Sequence, residues 1–327
     1  MTQALQAATP SRADGRPRQP RTRGWRGPRR GPQLLSRGSR VTMWAGLLVA
    51  LAVYVLFGLI PMAGNVVISF TNYTALPSAP VNNVGFSNYT SMFTSQAPGF
   101  DQAVVATGVF VVAVTIGQNA LALLLAHKLQ RPGRAAAIGR VLVFLPIALG
   151  VTVVGLTWIL IFNPQEGPAA SLLSAFGVHS AFFGAAGWAM PLVIFVQIWQ
   201  NAGFSTLVFI GGLRSIDPQV YEAADIDGIG AWRRLRRITF PLLAPALTAN
   251  TLFAIVGAFT TYNLIYVLTD GQNGTDTLGM LAFNSAFGTS ADLGYGAAVS
   301  TALFILTLIV AIPAMIVLRR RERRMFT

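Results

Sequence analysis

The chain has 327 residues, of which 53% are apolar and only 11% charged. Soluble domains carry about a quarter charged residues, so the composition excludes an ordinary water-soluble globular protein and points to lipid as the main solvent. The net charge of +13 invites a nucleic-acid binder, but the placement of that charge excludes one.

All 24 Lys and Arg residues fall in four blocks, at 12–40, 128–140, 214–237 and 319–324. The polar stretches between them, 71–101, 163–185 and 270–292, hold only the acidic residues Asp101, Glu166, Asp270, Asp276 and Asp292. A nucleic-acid groove does not leave every second loop bare of basic residues. A membrane protein obeying the positive-inside rule does. Cysteine is absent, which removes disulfides, thiolate metal sites and a cysteine nucleophile.

In chain order, residues 1–42 are rich in Arg, Pro and Gly and read as a disordered, Arg-rich cytoplasmic tail. The pair Arg29-Arg30 is not a cleaved export signal, because the apolar segment after it is too long and further segments follow. Six apolar segments come next, at about 43–70, 102–127, 141–162, 186–211, 242–269 and 294–318. Each is near or above the roughly 20 residues a helix needs to cross a bilayer, and helices satisfy their own backbone hydrogen bonds in lipid. Six crossings put both termini, the loop 128–140 and the loop 212–241 on the cytoplasmic side, with every basic residue. The end at 319–327 is then a cytoplasmic basic end. Pro61, Pro146 and Pro191 are expected kinks.

No Asp, Glu, Lys or Arg lies within the six apolar cores, which argues against a proton- or sodium-coupled relay. Lys128 is the single lysine and is followed by Leu129, so no Walker A motif exists. His127 and His179 are too far apart in sequence for a His-Glu-x-x-His zinc site. The sequons at Asn72, Asn88 and Asn273 are expected from chance.

The loop before the fifth segment is the most informative. Asp217 suits an N-cap and Pro218 the first helical position. Gly228 suits a left-handed stop. Ile229, Trp232, Leu235 and Ile238 then recur at helical spacing, with Arg233, Arg234, Arg236 and Arg237 on the other face. Pro241 and Pro245 mark entry to the next segment. The expectation is a helix–turn–helix at the inner membrane face.

The run Glu222-Ala223-Ala224, followed at fixed spacing by Gly228, Ile238 and Pro241, resembles the EAA motif of permease subunits of binding-protein-dependent ABC importers. Phe240 stands where that family more often has Leu. Tyr221 to Gly228, Ile238 to Leu243 and Trp199-Gln200-Asn201-Ala202-Gly203-Phe204 are similar to the maltose/glycerol-3-phosphate class of carbohydrate permeases, and Val84 to Tyr89 is so more weakly. The resemblance covers about 43–320.

It implies an all-α membrane protein of type I importer permease fold, with a six-helix domain over 43–318 and a coupling loop over 212–241. It implies that Glu222 anchors this loop to an ATPase subunit, that Ala223 and Ala224 permit close helix approach, that Asp225 shares the motif and that Gly228 makes the turn. The implied partners are a second permease of similar fold, two ATPase subunits that bind ATP and Mg, an extracytoplasmic solute-binding protein and membrane lipid. No cofactor and no nucleic acid are expected on this chain. A secondary transporter or channel for a small polar solute is the alternative, and the EAA spacing and the uncharged spans count against it.

A sugar or oligosaccharide needs hydrogen-bonding groups and aromatic faces away from lipid. Trp199, Gln200, Asn201, Thr261, Tyr262 and Asn263 are the first candidates for a pathway. Gln118, Asn119, Trp158, Gln197, Asn250 and Thr260 are further ones. For each, interhelical hydrogen bonding or an interfacial aromatic role is the competing reading.

Overall fold

The computed structural model describes residues 37–74, 80–94, 99–289 and 291–326. They divide into two compact units, one ending at Phe57 and one beginning at Gly58. In the first unit, α1 (Arg37–Tyr54) begins inside the stretch read as tail. Residues 1–36, the rest of that stretch, lie outside the described residues. A π-helical turn follows (Val55–Leu59).

The second unit opens with α2 (Ile60–Ile68) and the short α3 (Ser87–Ser91), then the long α4 (Phe100–Leu129). Next come α5 (Arg134–Ala148), α6 (Val151–Ile161), α7 (Pro168–Ser174) and α8 (Ala186–Arg214). The segment before the fifth span forms α9 (Pro218–Ile226), α10 (Ala231–Arg234), a π-helical turn (Leu235–Thr239) and α11 (Phe240–Leu242). The chain ends with α12 (Ala244–Thr260), α13 (Asn263–Thr269), α14 (Leu278–Phe287) and α15 (Leu293–Phe326).

Among the described residues, four stretches are long and apolar enough to cross a membrane: Thr42–Ile68, Phe100–Leu129, Ala186–Arg214 and Leu293–Arg323. The number reaches six if each of two bent pairs counts as one span. The expected third span is one such pair, since α5 and α6 meet at 101°. Pro146 removes a backbone donor near the end of α5, and Leu149 and Gly150 are both extended. The second pair joins the α10–α11 stretch to α12 at 71°.

The expected fifth span is likewise not continuous, because the chain breaks at Thr261 and Tyr262 between α12 and α13. The Thr261 hydroxyl donates to the Gly257 carbonyl at 2.8 Å, while its own N–H turns to Ala258 O. Thr260 also back-bonds, to Val256 O and Gly257 O. Hydroxyls that take over helix carbonyls in this way bend or end a helix.

The core of the second unit is built on α4 and α8. Helix α8 is buried along most of its length and is central, whereas α15 is buried at its start, through Ala297, Ala298, Val299 and Thr301, and largely exposed after it. Phe110, Val114, Val193, Val196, Ile265 and Met280 form the middle of the core. Ala126, Phe209, Leu213 and Leu243 close one end. The basic blocks of this unit gather at that end: Arg140 Nη1 donates to Leu129 O at 2.7 Å, and separate clefts join Arg131 to Arg234 and Arg236 to Arg321. At the other end Asn273 Nδ2 donates to Phe183 O, and Thr74 bridges to Asp292.

Polar side chains inside the bundle tie these helices together. Gln118 Nε2 donates to Ser205 Oγ at 2.7 Å, Asn250 Nδ2 to Asn119 Oδ1 at 3.0 Å, and Gln197 Nε2 to Thr261 Oγ1 at 3.1 Å. Interhelical bonds of this kind contribute about 0.6 kcal/mol on average and at most about 1.7 kcal/mol. Gln197→Leu is therefore expected to lower the melting temperature in detergent only slightly. A collapse of the protein would show that this bond is more than a cross-link.

Candidate functional site

Between α8 and α12 the chain builds a compact, exposed helix–turn–helix. Asp217 accepts a hydrogen bond from Gln219 N at 2.9 Å and caps α9, with Pro218 in the first turn. The far end closes through two backbone bonds, Gly228 N to Asp225 O and Ile229 N to Ala224 O. This is the Schellman arrangement, and it needs a left-handed residue at Gly228, where φ is +66°. Arg234 pairs with Asp225 and sits over the Tyr221 ring, and the Tyr221 hydroxyl donates to Thr239 Oγ1 at 3.3 Å. The second helical stretch is thereby fastened to the first.

The motif residues divide between two faces. Ala224 is buried against the body of the protein, while Glu222, Ala223, Asp225 and Gly228 are exposed. Two large apolar side chains stand out beside them, Ile226 at 86% exposure and Trp232 at 72%. Apolar groups of this size left exposed beside a glycine turn form the kind of patch that another protein or lipid covers. Sequence reading gave Trp232 a place on the apolar face and gave Ile226 no role. A hydrophobic run reveals period but not which members find a partner within the chain.

The pathway candidates do not assemble into one site. Gln200 is buried, and Asn201 donates to Gln197 O within α8. Trp199 lies with Trp158, at 5.3 Å between ring centroids, and Phe195 also packs on Trp158. Gln118, Asn119, Gln197, Asn250 and Thr261 serve as the cross-links described above. Tyr262 and Asn263, at the helix break, are exposed.

Tyr262 stacks on Phe283 at 5.1 Å, and Tyr266 and Phe287 complete an aromatic cluster. A cleft of about 380 Å³ opens there, lined by Asn65, Thr260, Tyr262, Phe283, Phe287 and Ser300. Phe283 and Phe287 belong to α14, inside the stretch 270–292 that reads as a loop. The signal was present: Thr277 accepts from Met280 N as an N-cap, before ten residues that are mostly apolar. A run of that length is too short to be a span, and Leu278, Met280 and Ala282 of α14 are buried in the core.

The Asp276 carboxyl, in the connection between α13 and α14, has a buried oxygen without a hydrogen-bond partner. Burial pushes its pKa up from 3.8 to about 6. The folded state thus prefers the neutral acid. That contribution is fully present below the ordinary carboxylate range and is lost as pH rises through about 6. The melting temperature of the wild type is expected to fall across that interval, and Asp276→Asn to flatten the profile. An identical pH dependence in the variant would contradict this. Among the described residues no group of three or more His, Cys, Asp or Glu could hold a metal.

The profile of one family matches residues 118–327, most of the described bundle together with the helix–turn–helix: the binding-protein-dependent transport system inner membrane components. The chain belongs to this family. The permease is 32% identical over 277 residues to the probable ABC transporter permease protein YurN of Bacillus subtilis, covering 82% of this chain and 93% of that one. It is 31% identical over 271 residues to the multiple sugar-binding transport system permease protein MsmF of Streptococcus mutans, covering 82% and 92%. It is 31% identical over 268 residues to the trehalose/maltose transport system permease protein MalF of Thermococcus litoralis, covering 80% and 88%.

Its fold is that of a chain in a bacterial alginate ABC transporter solved with a pentasaccharide-bound periplasmic protein. The TM-score is 0.76 at 21% identity, over 87% of this chain and 96% of that one. The permease is thus an ABC permease, a multi-pass membrane protein and an inner membrane component by family.

Proposed function

We propose that the permease is the membrane-spanning subunit of an ATP-driven importer that passes a sugar or oligosaccharide. An extracytoplasmic binding protein delivers the solute, and two ATPase subunits drive the cycle through the helix–turn–helix at 217–241. The basic end of the bundle faces the cytoplasm, in keeping with the positive-inside rule. ATP and Mg bind to the ATPase subunits, and a second permease of similar fold completes the path.

The observation that carries the coupling role is the exposed surface around Gly228. Glu222, Ala223 and Ile226 project from a helix that the Asp217 cap, the Schellman turn and the Arg234–Asp225 pair hold rigid. A rigid, outward element passes on the movement of a docked partner, whereas a loose loop absorbs it. Glu222 offers a charged anchor to a partner arginine, and Ile226 and Trp232 supply the apolar contact area.

The sugar reading is supported by the relatives whose names specify sugar transport. The aromatic and polar cleft at the helix break adds to that support. Stacked rings beside Thr260, Asn65 and Ser300 suit a ligand with apolar faces and hydroxyl edges. Uptake of labelled oligosaccharides into proteoliposomes holding the full transporter and its binding protein tests this. Uptake should require ATP and fall about tenfold with Tyr262→Ala or Phe283→Ala. Uptake driven by an ion gradient without ATP would replace the importer with a secondary transporter.

A further inference from the structure

We propose that a groove at the basic end of the bundle, between the start of α12 and the end of α15, binds one anionic phospholipid. Its headgroup is held by Arg236 and Arg321. The groove has a volume of about 460 Å³. Its walls are apolar, with Phe240, Ala244 and Leu247 from the α11–α12 corner and Leu318 from α15. The two guanidiniums come from different elements, Arg236 from the π-helical turn and Arg321 from α15, and both are exposed. Neither forms an ion pair among the described residues.

The depth of the groove fits the same ligand. Leu318 ends the apolar run of α15 and the arginines begin immediately after it. The groove therefore straddles the boundary between hydrocarbon and headgroup. At the depth just below, α15 exposes Ile312, Ile316 and Val317 on its other faces, which marks this level of the helix as apolar. A ligand that complements this surface carries a negative group and an apolar chain on one molecule. Basic pockets between helices at the cytoplasmic surface hold anionic headgroups in this way.

A second groove on the other flank of α12, about 560 Å³, is less suited. It also has two arginines, Arg319 and Arg323, but Glu322 lines it too, so its net charge is lower and the carboxylate repels an anion. Because Arg236 belongs to the helix–turn–helix segment and Arg321 to α15, a bound headgroup would clip that segment to the last helix.

Native mass spectrometry of the intact transporter tests the assignment, with the complex released from nanodiscs of phosphatidylcholine doped with phosphatidylglycerol. The wild type should retain phosphatidylglycerol in preference to phosphatidylcholine, and added inorganic phosphate should not displace it. Arg236→Gln and Arg321→Gln should each weaken retention about fivefold, as expected for one arginine near an anionic surface. Arg236→Lys and Arg319→Gln should leave retention near the wild-type level.

Equal retention of both lipids, or retention unchanged in the two Gln variants, would overturn the assignment. So would a different loss: if the Gln variants shed a protein subunit in pure phosphatidylcholine, the groove is a subunit interface. All of these readouts follow lipid and subunit mass, so they stand apart from the identity of the transported solute.

Discussion

Gly228→Pro is expected to abolish ATP-coupled transport, by about a hundredfold, while leaving the membrane bundle folded. Proline fixes φ near −65°, and the turn after α9 requires +66° at this position. Proline also removes the N–H that Gly228 donates to Asp225 O. Together these cost about 3 kcal/mol or more at the turn, a factor of about a hundred in any equilibrium that needs the turn intact. The damage stays local, since a Cβ at Gly228 would meet nothing within 4 Å.

Gly228→Asn is the matching control, because asparagine tolerates the left-handed region, and it should keep most of the coupling. ATPase stimulation by loaded binding protein, measured beside size-exclusion profiles, separates lost coupling from lost folding. If the Pro variant transports normally, the turn geometry is irrelevant to function.

The largest loss of stability is expected from Gly203→Val. A Cβ at Gly203 in α8 would collide with the Val143 carbonyl oxygen and lie 2.8 Å from Phe144 Cα, both backbone atoms of α5. No side-chain rotation relieves a clash with backbone, so α5 must move away from the central helix. Overpacking of a buried site costs about 1–3 kcal/mol and sometimes more, and here the upper part of that range applies. Already Gly203→Ala should lower the melting temperature of the purified protein, and the Val variant should fail to yield a monodisperse peak. Gly211→Ala in the same helix is the control. Its Cβ meets nothing within 4 Å, and alanine gains about 1 kcal/mol of helix propensity over glycine.

The sequence was informative wherever the responsible physics is local. Asp217, Pro218 and Gly228 announced a capped helix and its stop, and the structure builds that turn with the expected left-handed glycine. The long apolar runs announced the helices α4, α8 and α15. Hydropathy reports polarity along a chain and not direction, so it could not show the 101° corner at Leu149 and Gly150. The corner needs α5 to lie against α8, and that contact depends on Gly203, far away in sequence. The break at Thr261 was hidden for a related reason. Its hydroxyl competes with the backbone for the Gly257 carbonyl, and a threonine in an apolar run reads as an ordinary member of the helix.

The polar residues of the spans were visible, but their use was not. Whether Gln197 faces a solute or Thr261 depends on the rotation of α8, which is set by packing in three dimensions. Ala223 and Ala224 show the same limit at short range. Adjacent in the motif, they lie about 100° apart around the helix, and only Ala224 is buried.

The most direct test of the coupling role is co-purification of the chain from its native membrane, with ATPase activity measured in the eluate. Wild type should bring down an ATPase subunit, and Glu222→Ala combined with Ile226→Ala should lose it while remaining monodisperse. An intact wild-type chain that elutes without any ATPase, or a double variant that retains it in full, would contradict the assignment of the 217–241 segment as the coupling element.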